Sequence, residues 1–225
     1  MRINADFSQP ARQRFAEGTW VDSPAAGVSR RMLDRIGEEV ARATSLVRFA
    51  PGAEFHAHTH DGGEEYLVLE GMFQDEDGDF PAGAYVRNPP TTSHSPHATG
   101  GTVILVKLHQ FDPADRTRVH EVMRAEAAEP VAGRPGVSAQ PLHRDAHEEV
   151  RMEVWAPGDE IALDLPGGGE LFVLEGGFTD AEGAMGPWDW LRLPAGARLD
   201  ARAGAAGARL WVKTGHLARP IGVAA

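Results

Sequence analysis

The stretch "EYLVLEGMFQDEDG" (residues 65–78) decides the fold, because a stretch of the same design, "ELFVLEGGFTDAEG" (residues 170–183), follows it at an offset of 105 residues. Each is a short apolar run closed by a turn ending in glycine, the pattern of a buried β-strand entering a hairpin. Working outward, "GVSRRMLDRIGEEV" (27–40) matches "GVSAQPLHRDAHEEV" (136–150), and "FAPGAEF" (49–55) matches "WAPGDEI" (155–161). Further on, "VILVKL" (103–108) resembles "ARLWVKT" (208–214). So many matches in one order indicate a duplicated unit.

Within each copy, short apolar runs alternate with Pro-Gly, Gly-Gly and Asp-Gly turns, which predicts an all-β fold of sandwich or barrel type. Glycine (26) and proline (16) are abundant enough to support that many tight turns. Between the copies runs "QFDPADRTRVHEVMRAEAAEPVAGRPG" (110–136). Its middle, 116–128, predicts a short helix, and its Pro/Gly end reads as a linker. The expected division is therefore 1–130 and 131–225. The first 25 or so residues belong to neither repeat and are expected to add an arm or an edge strand.

The chain has 225 residues, 42% of them apolar, which suits two packed cores. Its formal charge of −11 repels phosphate backbones and anionic lipid, so neither nucleic acid nor membrane is an expected partner. There is no run of apolar residues long enough to span a bilayer, and no apolar leader stretch at the start. The absence of cysteine excludes disulfides, thiolate zinc sites and cysteine nucleophiles. A cytoplasmic protein is expected. Barrel edges commonly pair between subunits, and a homodimer is expected on that ground.

Chemistry concentrates in "HAHTHDGGEEYLVLEG" (56–71), where three histidines and two glutamates crowd together. Imidazole and carboxylate are metal ligands. On a strand, His56, His58 and His60 share one face, and the outer two lie about 13 Å apart at about 3.3 Å per residue. An adjacent pair, either His56 with His58 or His58 with His60, is the physical expectation. Glu64 and Glu65 compete for the carboxylate role.

The spacing Gly52, His58, His60, Glu64, Gly71 resembles the first signature of the cupin superfamily. Gly83, Pro89, Pro90 and His94 resemble the second, with Thr91 where glycine is usual and Ala98 where asparagine often stands. The resemblance implies jelly-roll β-barrels, here two in tandem, and one divalent ion held by His58, His60, Glu64 and His94. His56, Glu65, His97 and His109 are then spare, lying at the surface or behind the ligands. His143 and His147 are spaced as on a helix, but the repeat register puts them in a loop leading into a strand. In the second copy Asp164, Pro166 and Leu199 align with His58, His60 and His94, so that barrel is expected to hold no metal. Glu170 aligns with Glu65. Trp155, Trp188, Trp190 and Trp211 are expected to fill its interior.

The stretch "HTHDGGEEYLVLEGMFQDEDGDFPAGAYVRNPPTTSHSP" (58–96) is most similar to the cupin domain of ChrR-type anti-sigma factors. That domain binds zinc and senses oxidants, while a separate helical, cysteine-containing domain grips the sigma factor. Nothing here corresponds to the latter, so a sigma-factor partner is not expected. The same group is similar to small metal dioxygenases such as acetylacetone dioxygenase, in which a mononuclear iron directs oxygen onto a bound diketone. The resemblance thus implies a dioxygenase-like enzyme acting on a small oxygenated metabolite. Its alternative is a zinc-dependent sensor. Zinc, iron, manganese and nickel all suit the ligand set. Tyr85 and Arg87, on the strand leading to His94, are expected either to orient a small-molecule ligand or to pack and pair.

Overall fold

The computed structural model describes residues 1–223. Its described residues form strands, turns and two single-turn 3-10 helices, with no α-helix among them. Among the described residues no helix is long and apolar enough to cross a membrane. The chain divides into two compact units, each an antiparallel β structure of jelly-roll type, as the repeat predicts.

The first unit comprises 1–5, 19–122 and 221–223, and the second 6–18 and 123–220. Relative to the spans expected from the repeat, segments 6–18 and 123–130 belong to the second unit and 221–223 to the first. The main sheet of the first unit runs Arg2–Ile3, Val28–Gly37, Ala41–Phe49, Thr102–Leu108, Glu64–Asp75, Ala84–Asn88, Val119–Val122. That of the second runs Glu129–Pro130, Val137–Arg144, Glu149–Trp155, Ala197–Thr214, Gly169–Asp180, Trp190–Leu193, Ala11–Gln13.

The two halves of the repeat share their irregularities. Strand Glu64–Asp75 bulges at Leu69 against Thr102–Leu108, and Gly169–Asp180 bulges at Leu174 against Ala197–Thr214. Two residues later Gly71 and Gly176 take φ of +74° and +65°. A Cβ on either would lie 2.1 Å from a carbonyl oxygen, that of Gly101 or of Gly207. Only glycine meets both demands, which explains the shared "LEG" of the two copies. The bulge bends each long strand. In the first copy its first half pairs with Ala84–Asn88 and its second half with Gly78–Pro81, closing the barrel around a core of Phe49, Tyr66, Phe73, Phe80 and Ile104.

The helix expected over 116–128 does not form. Val119–Val122 is instead an edge strand along Ala84–Asn88, and Ala125–Ala127 is one 3-10 turn. A helix this short has little intrinsic stability, whereas the unpaired edge of Ala84–Asn88 offers a ready row of backbone partners. The N-terminal segment supplies the matching edge of the second unit, where Ala11–Gln13 pairs with Trp190–Leu193. Arg2–Ile3 and Val21–Asp22 pair with Val28–Gly37 in the first unit.

Candidate metal centre

In the first unit two short strands, His58–Thr59 and Ser93–His94, pair so that His58 and His94 face one another. A turn after Pro89-Pro90 brings Thr92 under His60, whose backbone N–H donates to the Thr92 carbonyl (2.8 Å). Glu64 starts the long strand beside them. One ligand atom each from His58, His60, Glu64 and His94 lies within 4.8 Å of every other, a group that could hold a metal ion. The ring centroids are 4.5, 4.9 and 5.1 Å apart, all edge to face. Glu64 Oε2 sits 3.4 Å from Nε2 of both His60 and His94.

The hydrogen bonds settle which nitrogen each ring presents. His58 Nδ1–H donates to the His56 carbonyl (3.0 Å). The Thr92 hydroxyl donates to the Pro89 carbonyl (2.7 Å), so its oxygen is left to accept from His60 Nδ1–H (2.8 Å). His94 Nδ1–H donates to the Asp75 carboxylate (2.8 Å). All three rings are thus held with the proton on Nδ1 and the lone pair on Nε2, the tautomer a ligand needs. Nε2 of His60 and of His94 is buried with no hydrogen-bond partner. Orphaned buried nitrogens of this kind require an explanation, and a bound cation is one.

Electrostatics treat His60 and His94 differently. Burial, reinforced by the neighbouring His94 and His58, pushes the His60 pKa down to about 3, so its imidazole is neutral near pH 7. Burial likewise disfavours charge on His94, but the Asp75 hydrogen bond and Glu64 outweigh it and the net shift is upward. Burial raises the Glu64 carboxyl, against His94, His58 and the Asn88 amide, which donates to its Oε2 (3.4 Å).

Strand alternation decides between the two glutamates. Glu65 points to the opposite face, where it accepts from Tyr85 Oη (3.0 Å) and lies 3.6 Å from Arg87 Nε. Arg87 also reaches Asp115 (3.0 Å) and stacks over Phe111. Tyr85 and Arg87 are therefore buried away from the four donors and pack and pair. His56 contributes its carbonyl to the site, and His97 lies on an outer strand paired with Glu54. His109 lines a cavity of about 300 Å3 that opens beside the donors, with walls of Val28, Phe49, Phe55, Phe73 and Ile104. Thr91 adopts φ +79°, the left-handed conformation for which the signature normally uses glycine.

Sequence reading missed Asp75, Thr92 and Asn88. Asp75 lies at the far end of a twelve-residue strand from Glu64, and its counterpart Asp180 pairs with Arg12, so no sequence signal separates the two roles.

In the second unit the register corrects the alignment of the ligands. Leu163 pairs with Leu199 as His58 pairs with His94, so Leu163 and Leu165, rather than Asp164 and Pro166, stand at the positions of His58 and His60. Asp164 is exposed and pairs with Arg198. Gly169 replaces Glu64, and a Cβ there would lie 2.7 Å from Leu165 Cδ2. Aliphatic side chains thus occupy the equivalent centre. Trp155 shares that core, whereas Trp190 donates to Glu170 (3.1 Å) on the outer face, and Trp188 packs edge-on against Phe15. His143, Asp145 and Glu148 form a second group near a turn. There Glu148 is paired with Lys213 (2.9 Å), and Asp145 accepts from the backbone of His147 and Glu148.

Residues 8–112 match the family model described as the ChrR cupin-like domain. No curated protein matches the chain. Among solved structures, a candidate dioxygenase from Nostoc punctiforme PCC 73102 is similar at TM-score 0.68 and 13% identity, covering 100% of this chain and 86% of that one. A cupin 2 conserved barrel domain protein from Leptotrichia buccalis follows at 0.60 and 14%, with 94% and 98% covered. The pirin YhhW of Escherichia coli, solved in complex with nickel(II), is similar at 0.65 and 14%, with 92% and 98% covered. At these identities the likeness establishes the fold, which is the cupin fold.

Proposed function

Because residues 8–112 match the ChrR cupin-like family model, we propose that the first unit holds one divalent ion, zinc, iron, manganese or nickel, through His58, His60, Glu64 and His94. On it the chain would act as a dioxygenase-like enzyme on a small oxygenated metabolite. The observation that carries this reading is the common tautomer: three separate acceptors hold three Nδ1–H groups and leave the Nε2 lone pairs of His60 and His94 buried without partners.

An ion bound there supplies Lewis-acid polarisation of a substrate oxygen and a template for its orientation. The chain's own residues do the rest. Thr92, Asp75 and the His56 carbonyl keep the rings aimed, and Asn88 holds Glu64. Phe49, Phe55 and Phe73 keep the adjoining cavity apolar, which excludes water from a reacting group and strengthens every charge interaction inside.

The test is elemental analysis of the purified protein beside a His60→Ala variant, followed by oxygen-uptake measurement on adding a β-dicarbonyl. About one ion per chain, lost in the variant, with oxygen consumption, is the expected result. The same metal content in both proteins overturns the ligand assignment. Tightly held zinc without oxygen uptake turns the reading to a metal-dependent sensor, which the ChrR relationship of the domain would then explain.

A further inference from the structure

Val28 and Arg30 are two apart on strand Val28–Gly37 and share its inward face. Both line the cavity beside His58, His60 and Glu64. Arg30 thus places a cation beside Val47, Phe49, Phe55 and Ile104 in a wall whose rim also carries Glu39. Its Nε is buried with no hydrogen-bond partner. Its guanidinium lies 3.7 Å from Glu39, whose side chain is 73% exposed. A pair that long and that wet contributes little, and it leaves the guanidinium, 20% exposed, free to exchange Glu39 for a better-placed anion. The planar fork of arginine is the side chain best matched to a carboxylate, which it binds through two parallel hydrogen bonds.

The geometry points to Arg30 as the reader of a carboxylate on the molecule that enters this cavity. The ligand is a small acid with an apolar body: its carboxylate meets Arg30 in place of Glu39, and its other end faces His58, His60, Glu64 and His94. Only that second orientation rests on the proposed metal centre. A cavity of about 300 Å3 is at the small end for ligand pockets, which limits the body to a short chain or a single ring.

Calorimetric titration of the full chain with hexanoate and with hexanamide, its uncharged counterpart, tests the assignment in metal-loaded and chelator-stripped protein. Hexanoate is expected to bind about tenfold or more tighter than hexanamide in both forms. Arg30→Gln erases that preference while keeping hexanamide binding. Glu39→Gln, which removes the competing carboxylate, raises hexanoate affinity about threefold. Failure of hexanoate to bind, equal binding of the two, or a preference that survives in Arg30→Gln overturns the proposal. So does a preference confined to the loaded form and lost in His60→Ala, since the carboxylate would then sit on the metal. If Arg30→Gln also loses hexanamide, unchanged hexanoate affinity in Glu39→Gln overturns it. A preference that follows Arg30 in a protein retaining no metal upholds the carboxylate site and removes the metal reading alone.

Discussion

Asp75 provides the sharpest test of how the centre is organised. Its carboxylate accepts from His94 Nδ1–H at 2.8 Å, with both side chains almost fully buried, at 3% and 4% exposure. A ligand histidine becomes more acidic at Nδ1–H when Nε2 binds a cation, so this hydrogen bond strengthens on metal binding and adds to affinity. A charge-assisted hydrogen bond in such a setting is worth about 1.5–3 kcal/mol, or roughly ten- to a hundredfold in a binding constant. Asp75→Asn keeps an acceptor but loses the charge, and is expected to weaken zinc binding about tenfold. Asp75→Ala removes the acceptor, frees the ring to rotate, and is expected to cost about a hundredfold. Competition against a chromophoric chelator at fixed pH reads both values. Asp180→Asn, at the corresponding position of the second copy, pairs with Arg12 and should leave zinc affinity unchanged. Unaltered zinc affinity in a folded Asp75→Ala protein would refute the orienting role.

The two adjacent glutamates should separate cleanly. Glu64→Gln loses metal and, by removing a carboxyl whose pKa burial raises, leaves the metal-free fold at least as stable. Glu65→Gln keeps its metal but costs about 3 kcal/mol of stability, since Arg87 loses a buried partner while retaining Asp115; denaturant melts with metal analysis distinguish the two. The pH dependence follows from the shifts. His94 and Glu64 have raised pKa values, so protons compete with a metal at these two groups and affinity rises with pH. His60, pushed to about 3, carries no proton near pH 7 and adds nothing to that dependence. For the metal-free protein the His60 shift has the opposite consequence from that of His94. His60 costs stability as pH falls from 6.5 toward 3, whereas His94 adds stability that is lost as pH rises through its folded value. Finally, Thr91→Gly relieves a β-branched residue at φ +79° and should stabilise by about 1 kcal/mol, a rise in Tm of about 2–4 °C by calorimetry. No change in Tm would show that Thr91 pays no strain.

Much of the fold was legible in the chain because its signals are local. A period of two in the apolar runs, glycines at sharp turns and a repeat at constant offset together predict two β units, and the bulges at Leu69 and Leu174 with glycines 71 and 176 sit where the repeat says they should. The segment 116–128 misled because its helical tendency is also local, and an open strand edge outcompetes a helix of three turns. The ligand cluster was legible only through its motif. Spacing alone left His56 with His58, or His58 with His60, equally open.

By itself, then, the sequence determined the repeat, the β class and the small set of imidazoles and carboxylates available, since these depend on order along the chain. Tertiary structure decided what depends on direction and distance. The pleat turns Glu64 toward the three imidazoles and Glu65 toward Arg87, although they are neighbours. Register sets Leu163 and Leu199, not Asp164, at the second centre. Closure of the barrel carries Asp75 to His94 across nineteen residues of chain, and only a folded wall turns Arg30 inward beside them. A side chain's chemistry is written in its identity, but the partner that gives it a role is chosen by which face of which strand meets which.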